Sequence, residues 1–222
     1  MTSPPSETAP RWFRALLIAA GLTVWFWTQS LIGSRALPAG SIHDGLHTLL
    51  GPIHDYLYSH PAAANALLIA SSALIDGLGL FLFAKTVFGR SLRPLLGLVL
   101  LLGMRQACQF LCVLPPPEQM IWRYPGFPSA LVTYGVANDF FFSGHVAMAV
   151  FGAIELARSG GRGMIPLGIL IVLFEAAAVL ALRAHYTMDV FAGAVAALLT
   201  ACLMPRLAPP CDRFLAGFFN RQ

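Results

Sequence analysis

The sequence has little charge and almost no lysine. Only 11% of its 222 residues are Asp, Glu, Lys or Arg, and Lys85 is the single lysine beside thirteen arginines. Soluble proteins carry about 25% charged residues, so this chain cannot cover its surface with charge in water. Because 57% of its residues are hydrophobic and its mean hydropathy is +0.71, we predict that it lies in a lipid bilayer. No long basic run is present, so the net charge of +4 predicts membrane orientation rather than nucleic-acid binding.

The four cysteines lack the spacing of a metal site or of a disulfide framework. Cys108 and Cys112 lie four residues apart, and Cys202 and Cys211 do not form a matching second pair. Structural zinc sites draw their ligands from two closely spaced pairs. We therefore expect no metal ion, and we interpret Cys108 and Cys112 as packing residues one helical turn apart.

Six apolar stretches have the length of a transmembrane helix, which needs about 20 residues. They are Ala15 to Ile32, Ala62 to Ala84, Leu95 to Leu114, Phe140 to Ala157, Met164 to Leu182, and Thr187 to Met204. The first stretch exceeds the apolar core of a signal peptide, about 7–15 residues, which favours a retained span. The sequence thus predicts an all-α polytopic protein: a disordered tail over residues 1–10, a six-span membrane domain over 11–207, and a C-terminal tail over 208–222.

The basic residues predict the orientation of these spans. An even number of spans places both termini on one side, and ten of the fourteen basic residues then share that side. The other side keeps Arg35, Arg105, Arg123 and Arg183. Cytoplasmic loops are enriched in Lys and Arg, so both termini are predicted to be cytoplasmic. The loops after the first, third and fifth spans then face outward.

Two of the outward loops carry polar residues of interest. The loop from Gly33 to Pro61 contains His43, His47 and His54 in a mixed apolar and polar context, which predicts an interfacial helix or lid. A helical metal site from these histidines is less favoured, because Gly51-Pro52 interrupts the helix. The next outward loop opens with three prolines, Pro115 to Pro117, which should end the third span sharply.

Two clusters of ionisable residues lie at the outer membrane face. His145 follows Ser143 and Gly144 at the start of the fourth span, and His185 and Asp189 lie at the start of the sixth. Residues four apart share one helix face, so Asp189 can accept the ring N–H of His185 and leave the second ring nitrogen as a nucleophile. A single interfacial histidine is usually only a satisfied polar group. Two histidines with a spaced aspartate predict catalysis.

The same face offers positive groups for a phosphate. Ser143 and Gly144 lie at a helix start, where unpaired N–H groups and the helix dipole favour anions. Arg105 and Arg183, at the outer ends of the third and fifth spans, can each present a guanidinium to phosphate oxygens. Together these residues predict phosphoryl transfer through a histidine.

Carboxylates also lie within the predicted spans. Glu175 and Asp76 should face the bundle interior and find partners there. Glu175 lies ten residues before His185, about 15 Å along a helix, so a supporting role is favoured over direct catalysis. Trp25, Trp27 and Trp122 are typical of interfacial anchors.

The two clusters resemble motifs of a known superfamily. Phe142–His145 (Phe-Ser-Gly-His) and His185–Asp189 (His-Tyr-Thr-Met-Asp) resemble the second and third motifs of the type 2 phosphatidic acid phosphatases. The His-Tyr-Thr-x-Asp form is similar to the branch that contains sphingomyelin synthases and plant phosphatidylcholine:diacylglycerol cholinephosphotransferases. Two further features also resemble this branch: Arg105 lies before a proline-rich loop, and Asp139 lies six residues before His145.

The resemblance covers roughly Gly97 to Ala201 and departs from the plain phosphatases. Those enzymes carry Ser-Arg six residues before the nucleophilic histidine, where this sequence has Val179. Their Lys-x6-Arg-Pro motif is not matched by Lys85 and Arg93-Pro94, which are one residue too far apart and on the predicted cytoplasmic side. Both departures favour the transferase branch.

The resemblance implies roles for the candidate residues. His185 would attack the headgroup phosphorus, Asp189 would orient its ring, and His145 would act as general acid and then as general base. Arg105, Arg183, Ser143 and Gly144 would hold the phosphate. Residues expected to support them are Asp139, Tyr186 and Glu175. No cofactor or metal is implied.

The implied reaction moves phosphocholine or phosphoethanolamine from a glycerophospholipid to diacylglycerol or ceramide within the bilayer, at the non-cytoplasmic face. Two alternatives stay open: a lipid phosphate phosphatase that uses water, and a non-catalytic lipid-binding protein. Aromatic residues of the outer loop, Trp122, Tyr124, Phe127 and Tyr134, could favour choline. The oligomeric state stays open, and the excess of Arg over Lys is compatible with a bacterial inner membrane.

Overall fold

The computed structural model describes residues 9–34, 42–134 and 140–219. Eight helices follow one another, and none of the residues in these ranges forms a strand. They are α1 (Arg11–Gly33), α2 (Gly45–Leu49), α3 (Gly51–Ser59), α4 (Pro61–Phe88), α5 (Arg93–Leu111), α6 (Gly144–Ala157), α7 (Met164–Ala181) and α8 (Thr187–Phe219). The prediction of an all-α fold is confirmed.

All six predicted stretches contain a long helix, but they differ in their suitability as membrane spans. Four helices, α4, α5, α7 and α8, are long and apolar enough to cross a membrane. Helix α6 is apolar but has 14 residues, and the 23-residue α1 does not belong to this group. The described part of the chain thus supports a membrane protein with four candidate spans. Six spans with cytoplasmic termini stay a prediction.

The structure bears differently on the two predicted terminal tails. Most of the predicted disordered tail, residues 1–8, lies outside the described residues. The predicted C-terminal tail is helical as far as Phe219, because α8 continues beyond the expected end at Met204. This helix includes Pro205, Pro209 and Pro210, residues that normally interrupt the backbone hydrogen bonds of a helix.

Proline residues lie at several helix boundaries. Pro52, Pro61 and Pro94 lie in the first turns of α3, α4 and α5, where a missing backbone N–H costs nothing. Helix α5 ends at Leu111, before the three consecutive prolines of the outer loop. The break at Leu50 between α2 and α3 occurs just before Gly51-Pro52, as predicted.

Helix α6 lies at the centre of the bundle and contacts α4, α5, α7 and α8. Phe151 on α6 is fully buried. Its ring lies against Gly97 of α5, where an added Cβ would be 2.1 Å from a ring carbon. A larger residue at Gly97 would push α5 and α6 apart, so this glycine allows the two helices to pack closely.

Ion pairs and hydrogen bonds join the helices at the end of the bundle opposite the histidines. The buried carboxylate of Glu155 meets Arg93 Nε at 2.9 Å and Lys85 Nζ at 3.6 Å. Asp212 of α8 accepts hydrogen bonds from Ser91 Oγ at 2.6 Å and Leu92 N at 2.8 Å, at the start of α5. The basic residues predicted to face the cytoplasm thus also join helix ends.

Candidate active site

The fold brings the two histidine motifs together at one end of the bundle. The backbone N–H of Ser143, just before α6, donates to the carbonyl oxygen of Asp189 in α8 at 3.0 Å. Gly193, one turn further along α8, lies so close that an added Cβ would be 2.6 Å from Ser143 O. The start of α6 therefore rests directly on the first turns of α8, and only a glycine at position 193 permits this approach.

His185 and Asp189 lie close together, but they do not share one helix face as predicted, because α8 begins at Thr187 and His185 lies in the turn before it. Nδ1 of His185 lies 3.6 Å from Oδ2 of Asp189, and their side chains are 8% and 0% exposed. Oδ2 also accepts the backbone N–H of Tyr186 at 2.9 Å, which holds the carboxylate in place. Nδ1 has no hydrogen-bond partner among the described residues. A small ring movement would complete the bond to Asp189, as often happens when a substrate binds.

His145 lies in the first turn of α6, buried beside the outer loop. The Trp122 ring meets the His145 ring edge-on, with centroids 5.2 Å apart, and Phe140 meets the His185 ring in the same way at 6.3 Å. Nε2 of His145 has no partner within the described part of the chain. Trp122, which the sequence favours as an interfacial anchor, therefore packs against a candidate catalytic ring.

Arg105 joins α5 to α1 and to the Phe-Ser-Gly-His motif before α6. Its Nε donates to the carbonyl oxygen of Phe142 at 3.0 Å, and its Nη1 donates to Oε1 of Gln29 at 3.4 Å. An added Cβ on Gly144 would lie 3.1 Å from Arg105 Nε. The guanidinium is therefore held against the Ser-Gly-His turn, and the glycine leaves room for it.

The other predicted phosphate-binding residues are placed differently. Ser143 is the N-cap of α6, and its Oγ accepts a hydrogen bond from Val146 N at 3.4 Å. Arg183 donates to Glu118 O at 3.2 Å and to Gln119 Oε1 at 3.3 Å. Both contacts are in the outer loop, and the described residues lining the cavity near the histidines do not include Arg183. Asp139 lies outside the described residues.

The remaining supporting candidates connect distant parts of the chain. Tyr186 donates its hydroxyl to Pro115 O at 3.1 Å. Glu175 is fully buried and accepts a hydrogen bond from Ser71 Oγ at 2.7 Å. Asp76 accepts hydrogen bonds from the outer loop, including Leu131 N at 2.9 Å. These contacts fix α4, α7 and the outer loop around the site, as expected for carboxylates within spans that find partners.

A mostly apolar cavity of about 540 Å³ opens beside the histidines. This volume lies within the range of about 300–1,000 Å³ typical of small-molecule sites. His145, His185, Arg105 and Gly144 line its polar end. The apolar remainder is formed largely by residues of α1 and α5, such as Ile18 and Leu98. The cavity is therefore suited to a molecule with a charged head and an apolar tail.

The segment containing α2 and α3 packs against the His-Tyr-Thr-Met-Asp motif and is hydrogen-bonded to it. The sequence did not predict these contacts. Asp44 accepts hydrogen bonds from Thr187 N and Oγ1, both at 2.6 Å, and from Leu46 N and His47 N at the start of α2. Burial by itself raises the pKa of Asp44, but the hydrogen bonds from Thr187 and His47 outweigh it and lower the pKa. An aspartate before Gly-Leu-His is a recognisable N-cap. No sequence spacing indicates its partner 143 residues away.

Two histidines of the same segment contact backbone carbonyl oxygens. Nε2 of His47 lies 2.9 Å from His185 O, and Nδ1 of His54 lies 3.0 Å from Ala181 O. Both side chains are buried. Burial lowers the pKa of His54, which favours its neutral form. No group of three potential metal ligands occurs among residues 9–34, 42–134 and 140–219.

Comparison with known proteins identifies a family for this chain. A family model described as AtPDCT1/2, for phosphatidylcholine:diacylglycerol cholinephosphotransferases, matches residues 44–206. The match begins at Asp44 and contains both histidine motifs and Arg105, but not α1. The searches of curated proteins and of solved structures return no match. Because the family model matches well over half of the chain, the protein belongs to the phosphatidylcholine:diacylglycerol cholinephosphotransferase family.

Proposed function

We propose that this protein transfers phosphocholine from phosphatidylcholine to diacylglycerol through a covalent histidine intermediate. The observation that carries the proposal is the placement of His145 and His185 at the polar end of one apolar cavity. The family name describes the same donor and acceptor. A cavity with a polar end and an apolar body suits two substrates that share a diacylglycerol part and differ only in phosphocholine.

In the first half of the reaction, Nε2 of His185 attacks the phosphorus of phosphatidylcholine. Asp189 accepts the Nδ1 proton in a hydrogen bond and stabilises the positive charge that develops on the ring, from its position 3.6 Å away. His145 gives a proton to the departing diacylglycerol oxygen. The phosphocholine group is then bound to His185.

In the second half, another diacylglycerol takes the place of the first. His145, now neutral, removes the proton of the acceptor hydroxyl, and the oxygen attacks the phosphorus and displaces His185. Arg105 stabilises the charge on the phosphate oxygens in both halves, together with the start of α6 at Ser143 and Gly144. Arg183 contributes by holding the outer loop through its contacts at Glu118 and Gln119.

A transfer assay tests this function. Purified protein in vesicles receives phosphatidylcholine labelled in its choline and diacylglycerol labelled in an acyl chain. We expect a product that carries both labels, because the choline group moves to a new backbone. Free phosphocholine would support the alternative in which water is the acceptor, and transfer of the choline label only when ceramide is supplied would support a sphingomyelin synthase-like specificity. Identical results with and without protein would contradict catalysis.

We also propose that the site faces away from the cytoplasm, which follows from the distribution of basic residues. Two exposed free cysteines allow a test: Cys112 follows α5 at the site end, and Cys211 lies in α8 near the opposite end. In variants that keep only one cysteine, a membrane-impermeant maleimide should label Cys112 in intact cells. Cys211 should react only after permeabilisation. The reverse pattern would contradict the proposed orientation.

A further inference from the structure

The wall of the cavity includes a helix that lies outside the matched family region. Helix α1 ends at Gly33, before the match begins at residue 44, yet eight of its residues from Leu17 to Thr28 line the cavity. Helix α5 forms the facing wall from Leu95 to Gln106. Each wall extends over twelve residues, and its first and last residues are about 16 Å apart along a helix. This is close to the depth of one bilayer leaflet, about half of a 30 Å hydrocarbon core.

The polar contacts of α1 fix its alignment with α5. Oε1 of Gln29 accepts hydrogen bonds from Arg105 Nη1 at 3.4 Å and from Gln106 Nε2 at 3.1 Å. A guanidinium can only donate, so the atom of Gln29 that meets it is the amide oxygen. The headgroup end of the cavity is thus level with Gln29 on α1 and with Arg105 on α5. The apolar body extends from this level toward Leu17 and Leu95.

Two glycines in this wall leave space that a side chain could fill. Gly21 of α1 and Gly103 of α5 both line the cavity, and no described atom lies within 4 Å of a Cβ built on either. Gly21 lies eight residues before Gln29, about 12 Å from the headgroup level along the helix. Gly103 lies two residues before Arg105, about 3 Å from that level. The two open positions therefore mark different depths of the same cavity.

We propose that α1 and α5 enclose one acyl chain of the lipid substrate. Every chain passes the space at Gly103, and only a long chain reaches the space at Gly21, so Gly21 determines which chain lengths fit. The occupant is an acyl chain because the lining at these depths is apolar, the length matches one leaflet, and the charged end lies at Arg105 and the histidines. The inference rests on the proposed function, because one of its two tests measures phosphocholine transfer. Its binding readout is independent of transfer.

Leucine substitutions at the two depths test the proposal, because they should affect long and short acyl chains differently. With Gly21→Leu, transfer to dioleoyl glycerol should fall relative to dihexanoyl glycerol, because only the long chain reaches that depth. A misfit in an apolar pocket changes selectivity by about 10–200-fold, so we expect a shift of about tenfold or more. Gly103→Leu, near the headgroup level, should reduce transfer to both lipids. Gly77→Leu is the matched control, since Gly77 is an exposed helical glycine with equal space and is not among the cavity residues.

A photolabelling experiment provides the readout that does not need catalysis. Dioleoyl-type diacylglycerol with a diazirine at the end of one chain is irradiated with the His185→Gln protein. We expect label on the peptide containing Gly21, lost in His185→Gln with Gly21→Leu and retained with Gly77→Leu. Equal labelling in all three proteins would overturn the proposal, as would an equal loss of transfer to both chain lengths in Gly21→Leu. If no protein transfers phosphocholine but the label depends on position 21, the proposed function fails and the acyl-chain site stands.

Discussion

His185→Gln should abolish phosphocholine transfer while the protein remains folded. Glutamine cannot accept phosphocholine at Nε2, so both halves of the reaction lose their covalent route. Removal of a catalytic nucleophile in a serine protease costs on the order of 10⁶-fold, which would place the residual rate below detection. The measurement is formation of doubly labelled phosphatidylcholine from choline-labelled donor and acyl-labelled diacylglycerol.

The covalent intermediate gives a second readout for the same variant. Without acceptor, the wild-type protein should retain choline label in a form that acid releases, because a phosphorus–nitrogen bond is acid-labile. His185→Gln should retain none. His60→Gln is a suitable control, since His60 is exposed and its Nδ1 lies 2.9 Å from Tyr56 O, away from the cavity. Undiminished transfer in His185→Gln would exclude His185 as the nucleophile.

His145→Gln should reduce transfer by about 10²–10⁴-fold, the usual contribution of general acid–base catalysis. The residue lies next to Trp122 at the end of the cavity and has a buried ring nitrogen without a partner in the described ranges, so it is free to exchange a proton with a substrate oxygen. The measurement is the same double-label transfer assay at saturating donor.

An activated donor separates the roles of the two histidines. The leaving group of p-nitrophenyl phosphocholine departs without being protonated, so the initial burst of nitrophenolate, about one per protein molecule, should be nearly normal in His145→Gln. Later turnover should stay slow, because the second half of the reaction still lacks its general base. The same release should be lost in His185→Gln, because the attacking atom is missing. If the burst in His145→Gln were slowed as much with this donor as with phosphatidylcholine, a role as general acid would be refuted.

The sequence was sufficient for the local parts of the site. The spacing of His185 and Asp189 indicated that the two side chains meet, and their atoms lie 3.6 Å apart, although His185 lies in the turn before α8 rather than on the same helix face. Serine before Gly-His indicated a helix start, and Ser143 is the N-cap of α6. These features depend on residues within one or two helical turns, where periodicity and capping rules apply directly.

The long-range parts of the site could not be predicted in the same way. The sequence treated Arg105 and Arg183 alike, yet Arg105 contacts the Ser-Gly-His turn and Arg183 contacts the outer loop. It treated His47 as part of a lid, whereas the ring binds the carbonyl oxygen of His185. These differences arise from side-chain directions and helix packing, which no spacing along the chain encodes.

The sequence by itself indicated a helical membrane protein and the two motifs to which we assign the proposed chemistry, because apolar length and short spacings are local properties. The tertiary structure decided how these motifs meet. Ser143 bonds to Asp189 only because Gly193 allows α6 to approach α8, and Asp44 reaches Thr187 across 143 residues. It also brought α1 against Arg105 through Gln29 and so formed a cavity wall. The low content of charged residues indicated a membrane protein, whereas close packing of the helices brought the candidate site residues together.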